Sequence, residues 1–123
     1  MTTPVKFELA KLLEQKGFNE PCQYYYDTTS CVKLYPPQRT NDISKDMYPN
    51  FIVGVPTIAE VCMWLYRKYN IWIVILPELL NGVHIRYYPS VFEQGVGEDI
   101  ESYHNTPEQA YEYAIEYVLN NMI

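Results

Sequence analysis

Residues 57 to 76 read TIAEVCMWLYRKYNIWIVIL, and the change of period halfway along this stretch decides the class of fold. Thr57 followed three residues later by Glu60 is a capping box, because each side chain can reach the other's unpaired backbone N–H. Behind it Ile58, Val61, Cys62, Leu65 and Tyr69 recur at helical spacing, so one helix face is apolar. Asn70 then stops the helix, and IWIVIL at 71–76 follows with no polar residue at all. Ile71, Ile73 and Ile75 take one side of an extended strand and Trp72, Val74 and Leu76 the other. A strand apolar on both faces is expected to be central and covered on both sides. The second side is then covered either by a helix that crosses to it or by a second copy apposed sheet face to sheet face. A capped helix running straight into such a strand predicts helices packed on a sheet.

Working outward, two more helices carry the same punctuation. Thr3 as cap, Pro4 at the first helical position and Gly17 as stop bound a helix with the stripe Val5, Leu9, Leu12 and Leu13. TPEQ at 106–109 opens a third helix, with Ala110, Tyr111, Ala114, Ile115 and Val118 facing inward. CQYYYD and CVKLYP flank the turn DTTS, and IWIVIL and VHIRYY flank the longer loop PELLNG, so each pair predicts a hairpin. FIVGV at 51–55 and DIESYH at 99–104 are weaker strands, while residues 37–50 and EQGVGED at 93–99 are polar surface excursions. The expectation is one α+β domain over residues 1–123, with three helices packed on an antiparallel sheet of four to six strands. The order also suggests a helix-plus-hairpin duplication, with half-units 4–37 and 57–90. A shift of 53 positions lays Gly17 on Asn70, Thr28-Thr29 on Asn81-Gly82, and Tyr35-Pro36 on Tyr88-Pro89.

With Thr28-Thr29 as the loop, Tyr26 opposes Cys31, Tyr24 opposes Lys33 and Cys22 opposes Tyr35. Tyr25, Val32 and Leu34 then form the seat for a helix. Tyr24, Tyr26, Lys33 and Tyr35 point away from it, joined by His84, Arg86 and Tyr88 of the second hairpin, whose Val83, Ile85 and Tyr87 point inward. These seven residues are the candidate interaction face, and tyrosine, of which the chain has 13, suits a protein interface.

The net charge of −6 is unevenly spread: residues 87–123 hold seven acids and no Lys or Arg. Glu98, Asp99, Glu101, Glu108 and Glu112 are a candidate acidic surface that repels phosphate and attracts a basic partner. The second half has the α-β-β-β-α order of double-stranded-RNA-binding domains, but Glu108 and Glu112 stand where such domains place lysines. Nucleic acid is therefore not an expected partner.

Chemistry is thinly signalled. His84 and His104 have no neighbour at metal-ligand spacing, GVGED lacks the lysine of a phosphate loop, and Cys62 sits on an apolar stripe. No catalytic, cofactor-binding or metal-ligating residue is expected, and no cofactor. Three irregularly placed cysteines fit reduced thiols, and no apolar run has the length of a membrane span, so a cytoplasmic protein is expected.

VPTIAEVCMWLYRKYNIWI and NTPEQAYEYAIEYVLNNMI, with EQKGFNEPC, carry a resemblance. They resemble small proteins, without assigned activity, encoded by phages and mobile elements of gut bacteria. These share a PT-x-x-E helix ending in YxKY, a following apolar strand and a final S/T-P-x-x-A-x-x-x-A-I helix. The resemblance implies a fold and an accessory role. Taken together, the expected function is non-catalytic protein–protein interaction, with a second copy of the chain or another protein as partner. A second reading is an acidic mimic of nucleic acid that occupies a nucleic-acid-binding protein; a third is a small enzyme or ligand-binding domain using His84 or His104.

Overall fold

The computed structural model describes residues 3–123. Among them three α-helices and two three-stranded antiparallel sheets make an α+β layout, as the periodicities require. The chain divides into two compact units, Met1–Thr57 and Ile58–Ile123.

In the first unit, helix α1 (Phe7–Gln15) precedes strands β1 (Cys22–Asp27), β2 (Cys31–Gln38) and β3 (Phe51–Val55), in the sheet order β2-β1-β3. The helix begins later than its cap signal predicts, with Lys6 at the N-cap and no side-chain cap. Pro4 and Val5 are already engaged: Pro4 bridges Thr57, and Val5 N–H donates to the Pro56 carbonyl at 3.1 Å. Thr3 and Pro4 therefore start an extended lead-in, not the helix. The stop is where Gly17 predicts it. Gly17 adopts φ 92°, Phe18 N–H donates to the Leu13 carbonyl (2.9 Å) and Gly17 N–H to that of Glu14 (3.1 Å). This double bond pattern is the Schellman motif, and Phe18 and Leu13 are both buried beside it. Gly17→Ala is expected to lower stability by about 1 kcal/mol, because a Cβ disfavours positive φ. A urea titration followed by circular dichroism checks this, and an unchanged midpoint would contradict it.

The first hairpin turns at DTTS, as the residue types there predict. The Asp27 carboxylate accepts from Thr29 N–H (2.7 Å), Ser30 N–H (2.8 Å) and the Thr29 hydroxyl (2.8 Å). Those donors, the Ser30 and Thr29 backbone first, hold the Asp27 carboxyl below its usual range. Tyr24 opposes Lys33, Tyr25 opposes Val32 and Tyr26 opposes Cys31, as the turn dictates, but Cys22 opposes Gln38 and not Tyr35. Pro36 and Pro37 have no N–H for the ladder, so β2 bulges there and leaves Tyr35 89% exposed.

The expected assignment of faces is reversed. Val53 and Val55 of β3 are fully buried and lie opposite Tyr26 and Tyr24, so the four share one face. Helix α1 packs on β3. The Tyr26 hydroxyl donates to the Val5 carbonyl at 3.0 Å, and Phe7 meets the Tyr26 ring edge-on at 5.4 Å. The helix thus covers the Tyr24/Tyr26 face. Tyr25 lies on the other, stacked on Phe51 (5.6 Å) and met edge-on by Tyr48 (5.8 Å). The helix seat is built from β3, which the sequence marks only weakly, and not from Val32 and Leu34.

In the second unit, α2 (Ile58–Tyr69) leads into β4 (Ile71–Leu80), β5 (His84–Glu93), β6 (Val96–Asp99) and α3 (Pro107–Asn121), with sheet order β4-β5-β6. Helix α2 starts directly after Thr57 and stops at Asn70, whose φ is 55°. Helix α3 is capped by Thr106, whose hydroxyl accepts from Gln109 N–H at 3.2 Å. Val61, Leu65, Ala110, Ala114, Ile115 and Val118 are buried, on the stripes the periodicity marks, and Leu119, outside the marked stripe, is buried as well.

The strands are longer than the sequence pattern predicts and differently placed. PELL belongs to β4, and the turn is confined to residues 81–83, where Asn81 and Gly82 take positive φ (55° and 73°) and Val83 N–H donates to the Leu80 carbonyl at 3.3 Å. Gln94 and Gly95 repeat this at φ 51° and 82°, so β6 starts at Val96 inside the expected loop EQGVGED. Of the expected strand DIESYH, only Asp99 is in β6 and only His104 pairs again, bridging Tyr87 with 2.8 Å bonds in both directions. The largest correction concerns IWIVIL: β4 is an edge strand, and β5 is the centre. The units share the order helix, positive-φ stop and three strands, yet the central strand is the first of its unit in one and the second in the other. The likeness is one of element order.

Candidate interaction surfaces

The seven residues of the candidate interaction face fall in two different sheets. Tyr24, Tyr26, Lys33 and Tyr35 belong to the first; His84, Arg86 and Tyr88 belong to the second. They therefore do not share one sheet, and Tyr24 and Tyr26 are on the side that α1 covers.

In the second unit, Val83 is 87% exposed in the turn and Ile85 is exposed, against the inward reading, because both lie at the hairpin's tip. Tyr87 is half-buried. Arg86 is committed within the unit. It opposes Glu78 across the β4–β5 ladder and donates from Nη2 to Glu78 Oε1 at 2.7 Å. Its guanidinium lies 3.5 Å from the centre of the Tyr103 ring, which in turn meets Tyr88 edge-on at 5.9 Å. A cation held by a carboxylate below and a ring above is poorly placed to hold a phosphate. Glu78 and Tyr103 escape the sequence reading because PELLNG reads as loop; a three-residue turn at 81–83 is what puts Glu78 opposite Arg86.

The acidic residues do not form one stripe. Glu98 opposes Val91 and Asp99 opposes Ser90, so these neighbours point to opposite faces of β6. Glu101 is exposed beyond the strand, and Glu108 and Glu112 are half-buried one turn apart on α3. Glu98 and Glu93 edge a cleft of about 350 Å3 whose other walls include Val91, Val96, Ile100 and Tyr117.

His84 is exposed at the end of β5. His104 Nε2 lies 2.9 Å from the Ser102 hydroxyl, and its ring tilts over Tyr113 at 5.2 Å. Neither histidine lines the cleft just described. Among the described residues no group of three or more His, Cys, Asp or Glu side chains could hold a metal ion. Among the described residues no cysteine is in a disulfide: Cys22 is buried, Cys31 exposed, and Cys62 half-buried with its thiol pushed up to about 11 by desolvation. No helix among the described residues is long and apolar enough to cross a membrane.

What the sequence does not reveal is that β4 stands at an edge with part of its apolar side open. Trp72 is 52% exposed and Val74 38%, both large apolar side chains on an edge strand. Tyr66 of α2 leans on Trp72 at 4.3 Å between ring centres, which extends the apolar surface on to the helix. Compared with protein-family models, curated proteins and solved structures, the chain matches none.

Proposed function

We propose that the chain is a non-catalytic protein–protein interaction protein that associates with a second copy of itself through its second unit. One observation carries this reading: β4 has apolar side chains on both faces, yet it stands at the edge of its sheet with Trp72 and Val74 in solvent. Edge strands of proteins that stay apart are short, charged or covered, since a long apolar edge templates pairing. Along its ten residues β4 carries a single charged side chain, Glu78, and that one is spent on Arg86. The likeness to phage and mobile-element proteins suits an accessory role of this kind. The opposite pointing of Glu98 and Asp99 weighs against the nucleic-acid mimic.

Light scattering tests the reading. At high micromolar concentration the mass is expected near twice the chain mass of 14.5 kDa. A mass that stays at one chain across that range would reject it.

A further inference from the structure

Backbone hydrogen bonds on β5 reveal which atoms of β4 face its open edge. Tyr87 exchanges bonds with His104, and the Pro89 carbonyl accepts from Ile100, all on the side away from β4. In an antiparallel strand successive residues turn their N–H and C=O groups to alternate sides. The odd-numbered residues of β5 therefore bond away from β4, and its even-numbered ones bond toward it. The even-numbered residues of β5 oppose even-numbered residues of β4, as in Glu78 with Arg86 and Val74 with Ser90. Hence Ile71, Ile73, Ile75, Pro77 and Leu79 aim their backbone groups at the open edge. Among the described residues no strand pairs that edge. Both prolines of the hairpin obey the pattern: Pro77 and Pro89 oppose other odd-numbered residues, where the β4–β5 ladder needs no donor.

From this edge we infer that two copies join β4 to β4 in antiparallel fashion, with Ile73 opposite Ile73 of the second copy; the inference rests on the self-association proposed above. The register follows from the residues. Centred on Ile73, Ile71 of each copy faces Ile75 of the other, and every residue in the stretch supplies both a donor and an acceptor. Centred on Ile75, the pairing would set Pro77, which has no N–H, opposite Ile73. Centred on Ile71, it would need Tyr69, which is in helix α2. The chosen register also sets Trp72 of each copy opposite Val74 of the other, at a non-hydrogen-bonded pair where side chains approach most closely. The two exposed apolar residues then cover each other twice, as a two-fold axis requires. Two three-stranded sheets become one continuous six-stranded sheet.

Ile73→Pro removes an outward donor and leaves the β4–β5 ladder whole. It is expected to weaken self-association by about tenfold or more with an unchanged far-ultraviolet spectrum. Independently of that variant's folding, a Trp72→Cys chain mixed with a Val74→Cys chain under mild oxidation is expected to give a disulfide between positions 72 and 74 of different copies, found by mass spectrometry. A wild-type dimer without that linkage, undisturbed by Ile73→Pro, would overturn the β4 pairing and leave self-association through another surface. A wild-type chain that scatters as a monomer would overturn both, and capture of an extended peptide by that monomer would assign the edge to a different partner.

Discussion

Truncating Leu65 to alanine is expected to lower the free energy of unfolding by about 3 kcal/mol, whereas truncating Met63, two residues earlier on the same helix, costs less than about 0.5 kcal/mol. Leu65 has no exposed surface and lies on the stripe with Ile58 and Val61; Met63 is 50% exposed. Removing three carbons from a filled core loses their transfer free energy and leaves a cavity, and neither loss applies to a side chain already half in water. Chemical denaturation of the two variants beside the wild type checks the contrast. Similar destabilisation by both would mean that α2 turns a different face to the core from the one its periodicity marks.

Helix ends were legible because the chemistry that fixes them is local. Thr106 caps α3 through a bond to Gln109 three residues on, and Gly17 and Asn70 end their helices by taking up positive φ themselves. Even so α1 starts late, since Pro4 and Val5 are drawn into contact with Pro56 and Thr57, more than fifty positions away. Strand register was legible close to a turn and lost beyond a proline. Tyr26 to Tyr24 follow from DTTS, while Cys22 depends on how β2 accommodates Pro36 and Pro37. What covers a face is a long-range matter. Nothing in CQYYYDTTSCVKLYP says that Val53 and Val55 will lie beside Tyr26 and Tyr24 and bring α1 with them. The same holds for the candidate site. Apolar residues on both faces made β4 look central, because in most folds such a strand is covered on both sides. Its edge position depends on two short turns, at residues 81–83 and at Gln94-Gly95, that let β5 and β6 follow in sequence and place β5 in the middle.

Alkali is expected to unfold the protein sooner than its tyrosines alone would require, through Cys62. Burial pushes this thiol from 9.0 up to about 11 in the folded chain. The unfolded chain loses the proton near the ordinary value, so between the two it binds fewer protons than the folded chain, and stability falls as pH rises. The loss begins near pH 9 and reaches about 1.4 kcal/mol at pH 10, before levelling off above the folded value. Cys31 and Tyr111 add to it with the same sign, because burial raises both, and for Tyr111 the neighbouring Cys62 thiolate raises it further. Urea midpoints at pH 7.5, 9 and 10 for the wild type and for Cys62→Ala separate the contributions. The variant is expected to be flatter over this range even if it starts from lower stability, since it lacks the buried thiol and relieves Tyr111 of a neighbouring charge. Parallel curves for the two proteins would show that the Cys62 thiol does not govern the alkaline limit. Thiol labelling of the native protein at pH 8 is the companion measurement. Cys31, exposed at the start of β2, is expected to react well before Cys62, which is held neutral against the core of the second unit.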